Sequence, residues 1–243
     1  MAERAALITG GSSGIGLAIA RALGEDGYAL TLSARRPEKL EEAAESLRTD
    51  GLEVESAPAN MADEEEIKGV VARHREKYGR LDVLLNNAGV GIGAPMGEIQ
   101  TKHLDLQLGV NLRALIIGTR EGLPLLRAAG AEHGKALIVN TASIAGKSGQ
   151  PWLSVYAATK AAVLNFTVAT EKEVGHEGVS CTALAPGFVD TPMTEFVREQ
   201  VKPEEMIQPE DMAEAVRFLL RTSPHCRVPE IVFTRPGEGI GAP

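Results

Sequence analysis

Seven short aliphatic runs alternate with longer segments of helical periodicity along the whole chain, and this alternation constrains the fold more than any other feature. The runs are Ala5–Thr9, Ala29–Ser33, Leu52–Ala57, Leu81–Asn86, Ala136–Asn140, Val179–Leu184 and Glu230–Phe233. Helical spacing is read between them at about 14–26, 38–49, 63–77, 102–129, 152–174 and 209–222. Strands that are apolar throughout, rather than at every second residue, are covered on both faces, as in parallel sheets. Parallel neighbours need right-handed crossovers, and the intervening helices supply them. The reading is α/β: a single-domain Rossmann fold over residues 1–243, with a doubly wound, parallel, seven-stranded sheet and helices on both faces. No internal repeat or Ser/Pro-rich linker marks a boundary.

The first strand-to-helix turn carries the first chemistry. It reads Thr9-Gly10-Gly11-Ser12-Ser13-Gly14-Ile15-Gly16, with a helix starting near Leu17. Glycines there let backbone N–H groups and the positive helix end approach a pyrophosphate. A Gly-Ser run alone is usually just a loop; between the first strand and the first helix it favours a dinucleotide. The end of the second strand then bears on the choice of cofactor. An acid at that point would accept from the ribose hydroxyls of NAD. Here Ala34 stands where the acid is expected, followed by Arg35, a forked cationic donor suited to a 2′-phosphate. NADP(H) is therefore expected over NAD(H). Arg36 is read as a solvated residue before the helix that Pro37 starts.

The second half adds Ser143, just past a strand, and Tyr156-Ala157-Ala158-Thr159-Lys160 on a helix. Spacing of i and i+4 puts Tyr156 and Lys160 on one helix face. A free phenol titrates near pH 10, too high for efficient acid–base work at neutrality, and a neighbouring ammonium lowers it. Ser143 can donate to a substrate oxygen where negative charge develops. A lone Tyr-x-x-x-Lys is normally an exposed helix pair; the preceding serine and the glycine turn argue against that here.

These residues, with Asn86-Asn87-Ala88-Gly89, Asn111 and Pro186-Gly187, resemble the short-chain dehydrogenase/reductase family, in particular its NADP-preferring carbonyl reductases and short-chain alcohol dehydrogenases. The resemblance runs from Thr9 to about Phe233. It implies a catalytic tetrad of Asn111, Ser143, Tyr156 and Lys160, with Tyr156 giving a proton to a carbonyl as hydride arrives at carbon. Lys160 would lower the tyrosine pKa and hold the nicotinamide ribose, while Asn111 would keep a relay water. The cofactor contacts it implies, with those read above, are Gly10, Ser12, Ser13, Gly14, Ile15, Gly16, Arg35, Asn60, Met61, Asn87, Ala88, Gly89, Tyr156, Lys160, Pro186, Gly187, Val189 and Thr191. Asn60 replaces the aspartate common beside adenine, and an amide can still hydrogen-bond the adenine amino group.

The expected substrate is a small carbonyl compound or its alcohol, bound under a short loop at about residues 188–206 that carries Phe188, Met193, Phe196 and Met206. Trp152, four residues before Tyr156, is read either as pocket lining or as a packing or interface residue. The stretch from Val228 to Pro236 lacks the Gly-Gly ending of many 3-oxoacyl-carrier-protein reductases, which leaves that activity as the alternative. A non-catalytic NADPH sensor is a third reading, weakened by the presence of all four catalytic residue types.

A net charge of −8 excludes a nucleic-acid partner, which needs a basic surface. The two cysteines, Cys181 and Cys226, and five histidines show no ligand spacing, so no metal is expected. Cys181 reads as a buried hydrophobe. The start, Met1-Ala2-Glu3-Arg4, has no signal pattern, and no stretch is long and apolar enough for a membrane. A cytoplasmic location follows as an expectation. The acidic clusters at Glu41-Glu42 and Asp63–Glu66 read as complements to helix dipoles. Small and aliphatic residues crowd the helices near 104–126 and 155–174; the resemblance implies that these pair in a homodimer or homotetramer, and the alternative is that they only cover the sheet.

Overall fold

A computed structural model of the chain describes residues 3–237, so residues 1–2 and 238–243 of the expected domain lie outside the described residues. The strands are β1 (Ala5–Thr9), β2 (Ala29–Ser33), β3 (Val54–Ser56), β4 (Val83–Asn86), β5 (Ala136–Thr141), β6 (Val179–Pro186) and β7 (Glu230–Phe233). They form one sheet in the order β3-β2-β1-β4-β5-β6-β7, and every pair is parallel. The chain winds outward from β1 through β2 to β3, then returns to place β4 on the other side of β1, with Leu7 opposite Leu84. Between β1 and β4 lies the reversal of strand order, where the carboxyl ends of a doubly wound sheet open a crevice.

Helices α1 (Gly14–Glu25), α2 (Pro37–Thr49) and α3 (Glu64–Tyr78) follow the first three strands. After β4 come α4 (Thr101–Leu108) and α5 (Ala114–His133), then α6 (Ser154–Val174) and α7 (Pro209–Arg221). Alternate strand residues divide between two cores. Ala6, Ile8, Leu30 and Leu32 pack with Ile19, Leu40 and Val216 on one face. Leu7, Leu84 and Ile138 pack with Val70, Ile117 and Val174 on the other. Cys181 is buried in the second core, as read from its apolar strand.

Two helical expectations change. The segment read as one helix at 102–129 is α4 and α5 joined by a π-helical turn, Gly109–Arg113. One extra residue per turn shifts the apolar stripe without erasing it, so periodicity alone does not register the bulge. The segment read from 152 begins instead at Ser154, because Trp152 takes a left-handed conformation with φ 70°. Strand β3 is shorter than Leu52–Ala57: Val54–Ser56 pairs in register with Leu30–Leu32 of β2, and Glu53 and Ala57 add single flanking hydrogen bonds.

The acidic start of α3 acts as expected. The Asp63 carboxylate accepts from the backbone N–H groups of Glu65 and Glu66 and caps the helix. No helix among the described residues is long and apolar enough to cross a membrane.

Candidate active site

The loops that follow the strands share the carboxyl edge of the sheet, and the candidate residues lie on them or on the π-helical turn and α6 beyond. Gly10 has φ 68° and Gly14 has φ 53°, values that favour glycine. A Cβ on Gly10 would stand 2.8 Å from Asn87 Nδ2, one on Gly14 would stand 2.9 Å from Thr191 Cγ2, and one on Gly16 would stand 2.7 Å from Asn87 Nδ2. Each glycine therefore permits one close approach. Ser13 is the N-cap of α1, yet its side chain makes no capping hydrogen bond. The first N–H groups of α1 are thus left to meet an anion. Thr191, against Gly14, forms a reciprocal capping box with Thr194 that starts a short 3-10 helix, Pro192–Val197, within the loop after β6.

Asn87 fastens this turn to β4. Its Nδ2 donates to the Thr9 and Gly10 carbonyls, both at 3.2 Å, and its Oδ1 accepts from the Thr141 hydroxyl. The Thr9 hydroxyl accepts from the N–H groups of Asn87 and Ala88. Arg35 lies exposed just past the end of β2, whereas Arg36 is the N-cap of α2, with Pro37 at its first position. Asn60 is exposed, and its Oδ1 accepts from the Ala62 N–H, which leaves Nδ2 as its free-facing donor; Met61 beside it is buried.

Ser143, Tyr156 and Lys160 converge. Ser143 is buried at the start of a short 3-10 helix, where its hydroxyl accepts from Ala145 N–H and lies 3.4 Å from the Pro186 carbonyl oxygen. Lys160 is buried, with Nζ 5.6 Å from the centre of the Tyr156 ring and donating to the Thr141 carbonyl at 2.7 Å. Burial lowers its pKa from 10.5 to about 8. Burial also raises the Tyr156 phenol above its ordinary value, while a hydrogen bond with Ser143 pulls it back. Both shifts disfavour the charged forms. Gly89 lies against Asn111 and Lys160, and Gly91 lies against the Tyr156 ring.

Asn111 sits in the π-helical turn, and both polar atoms of its side chain bond to the protein. Its Nδ2 donates to the Val90 carbonyl and the Thr159 hydroxyl, and its Oδ1 accepts from Val90 N–H. The Thr159 hydroxyl in turn donates to the Tyr156 carbonyl at 2.7 Å. The loop after β4 is therefore tied through Asn111 to the helix that carries Tyr156. Pro186 ends β6, Gly187 N–H donates to Phe233, and Val189 is buried in the crossing to the next loop.

Three contributors are not legible from the sequence. Thr141 holds Lys160 through a backbone carbonyl, which any residue type would supply. Gly146 lets the Ser143 turn touch α6: a Cβ there would stand 2.6 Å from the Lys160 carbonyl carbon. Thr159, inside the Tyr-x-x-x-Lys motif, links Tyr156 to Asn111. A glycine three residues after Ser143 could have drawn attention to Gly146; nothing comparable marks the threonines. The loop after β6 has its own small core of Phe188, Val197, Val201 and Met206, and an ion pair between Arg198 and Asp190. No cluster of His, Cys, Asp or Glu among the described residues could hold a metal.

A glycine-lined crevice at the strand-order reversal of a doubly wound sheet defines the Rossmann-type dinucleotide-binding proteins. This chain belongs among the short chain dehydrogenases: the model of that family matches residues 4–202. It is 32% identical over 231 residues to an uncharacterized oxidoreductase of Staphylococcus aureus strain USA300, covering 95% of this chain and 96% of that protein. Among solved structures it is similar to an alcohol dehydrogenase from the archaeon Thermococcus sibiricus complexed with 5-hydroxy-NADP, at 32% identity and a TM-score of 0.84 with 96% of each chain covered. It is also similar to a variant of actinorhodin polyketide ketoreductase with NADPH, at 33% identity and a TM-score of 0.85, covering 96% of this chain and 97% of that one. The protein is thus an oxidoreductase of this family.

Proposed function

We propose that this protein is an NADP(H)-dependent oxidoreductase that interconverts a carbonyl compound and its alcohol, with Tyr156 as general acid and base. The observation that carries the reading is the convergence of Tyr156 with Ser143 and a buried Lys160 beside the glycine turn. When bound, the nicotinamide supplies or accepts the hydride.

The residues present fit such a cofactor. Gly10, Gly14 and Gly16 keep Cβ atoms out of the turn, and the start of α1 offers N–H groups without a side-chain cap. Ser12, Ser13 and Ile15 would complete a pyrophosphate cradle. Exposed Arg35, with no acid at Ala34, suits a 2′-phosphate. Two of the structures to which the chain is similar hold 5-hydroxy-NADP and NADPH, which supports the same choice. Asn60 and Met61 would flank adenine, Asn87, Ala88 and Gly89 the adenosine side, and Pro186, Gly187, Val189 and Thr191 the carboxamide.

In reduction, Ser143 would donate to the substrate oxygen and Tyr156 would give up its proton there. Because burial raises the phenol, the protein's own groups keep Tyr156 protonated at neutrality, the form an acid needs. Lys160, held from the Thr141 carbonyl, would stabilise the phenolate left behind. The four side-chain bonds of Asn111 and Thr159 hold this geometry, and a relay water would use the lone pair of Asn111 Oδ1 that Val90 leaves open.

A 3-oxoacyl thioester on an acidic carrier would call for cations at the rim, yet Arg198 of the loop after β6 is tied to Asp190. Exposed Leu108, Ile116 and Val168 on α4, α5 and α6 support pairing of these helices in a homodimer or homotetramer, which mass measurement in solution tests. The test of function is initial-rate oxidation of NADPH and NADH with a carbonyl panel that includes a 3-oxoacyl thioester. Tyr156-dependent NADPH turnover with simple ketones is expected. Turnover confined to the thioester would overturn the substrate reading, and no turnover would overturn the catalytic one.

A further inference from the structure

Trp152 is the chain's one tryptophan and, among the described residues, the one non-glycine with positive φ, at 70°. A side chain in the left-handed region crowds the following carbonyl, so a bulky aromatic is rarely found there unless its surroundings compel it. Burial does not compensate, because 52% of the residue is exposed. A packing role explains neither the backbone conformation nor the exposure.

The contacts say what holds it. The Trp152 carbonyl accepts from Ala94 N–H at 2.9 Å, and the indole lies over Gly93, where a Cβ would stand 2.5 Å from Cζ3. On its other side the ring faces Phe196, with centroids 6.3 Å apart and planes tilted by 53°. Trp152 therefore joins the loop after β4 to the loop after β6, immediately before the helix that presents Tyr156. Phe196 is 59% exposed, and the same two loops also expose Met96 and Met193. These four make up half of the eight large hydrophobic side chains exposed among the described residues, and they lie on the segments around Tyr156. Apolar side chains gathered at a site, beside a loop whose Arg198 is already paired with Asp190, suit an uncharged apolar ligand.

The geometry points to Trp152 and Phe196 as the specificity-determining pair of this site, an aromatic clamp that receives the apolar ring of a cyclic or aryl ketone. This assignment rests on the reading that Tyr156 acts on the substrate carbonyl. The substrate ring completes the contact that the tilted indole and phenyl leave half made, and it covers surface otherwise exposed to water. A carboxylate on that ring would meet two aromatic faces in place of a cation.

The single tryptophan allows a direct test without turnover. The unmodified protein with NADP⁺ forms no product from a ketone, so indole emission can be titrated with 4-tert-butylcyclohexanone, acetone and 4-oxocyclohexanecarboxylate. A saturable change in emission with the bulky ketone, and none with the other two at equal concentration, is expected. Emission unmoved by the bulky ketone overturns the clamp. In a second measurement, the ratio of kcat/KM for 4-tert-butylcyclohexanone to that for acetone should fall about tenfold in Trp152→Ala, carried mainly by KM. Trp152→Gly accepts the left-handed backbone without strain and should show the same fall with no loss of thermal stability. A ratio within twofold of the parent in both variants also overturns the assignment. If the emission responds while no carbonyl is turned over, the catalytic reading fails and the apolar ligand site stands. If turnover depends on Tyr156 while emission and ratio stay fixed, the clamp alone fails.

Discussion

Acidification from about pH 7.5 to about pH 5 should cost the folded chain about 2 kcal/mol through one side chain, His74. The imidazole is fully buried between α3 and the sheet. Its Nε2 lies 2.8 Å from the Arg80 carbonyl, which can only accept, so Nε2 carries the proton. Its Nδ1, 2.8 Å from the Thr31 hydroxyl, then accepts. Both nitrogens are satisfied in the neutral ring, and a second proton would set a donor against the threonine. Burial lowers the pKa from 6.5 to about 4, with the Arg80 carbonyl and Asp82 opposing the shift. The unfolded chain therefore binds the proton more tightly. The stabilisation is fully present above pH 6.5 and disappears as pH falls toward 4. At about pH 5 the unfolded histidine is almost wholly protonated and the folded one about one-tenth so, a factor of roughly 30, or about 2 kcal/mol. Urea unfolding free energies measured across this range, for the parent and His74→Gln, isolate the effect. The parent should lose about 2 kcal/mol more than the variant on acidification. Parallel pH profiles would refute the assignment of a buried neutral imidazole.

Other predictions concern the site directly. Tyr156→Phe should lower kcat by roughly 10²–10⁴-fold with NADPH affinity nearly unchanged, as read by single-turnover kinetics and cofactor fluorescence titration. Arg35→Ala should weaken NADPH by about 1.5–3 kcal/mol and NADH by far less, and equal losses in a binding titration would sink the 2′-phosphate contact. Since burial raises the Tyr156 pKa, alcohol oxidation, which needs the phenolate, should climb with pH through the alkaline range while ketone reduction declines; a flat oxidation profile between about pH 7 and 10 would contradict it. Gly146→Ala drives a Cβ against the Lys160 backbone and should cost about 1–3 kcal/mol, lowering Tm by roughly 2–10 °C and reducing kcat more than cofactor affinity.

Much of the architecture is legible in the sequence. The strands at Ala5–Thr9, Ala29–Ser33 and Glu230–Phe233 lie where the apolar runs put them, and α1 starts at the glycine turn. Those features are local: strand length, turn glycines and the proline at the start of α2 act through neighbours a few residues away. Tyr156 and Lys160 share a face for the same reason, since four residues make about one helical turn. Trp152 was ambiguous in the sequence between pocket and packing, because nothing local distinguishes an indole over Gly93 from one in a core.

By itself, then, the sequence determined the α/β alternation, the phosphate-type turn and the candidate acid–base pair, all of which follow from spacing along the chain. Tertiary structure alone decided what meets across it. The Thr141 carbonyl under Lys160, Asn111 clamping Val90 to Thr159, and Phe196 facing Trp152 each join residues 19 to 48 positions apart. The π-helical turn at Gly109–Arg113 belongs with them, because it places Asn111 where the amide can bond to both Val90 and Thr159. Such partners are chosen by the packing of sheet and helices, and no periodicity within a single element encodes them.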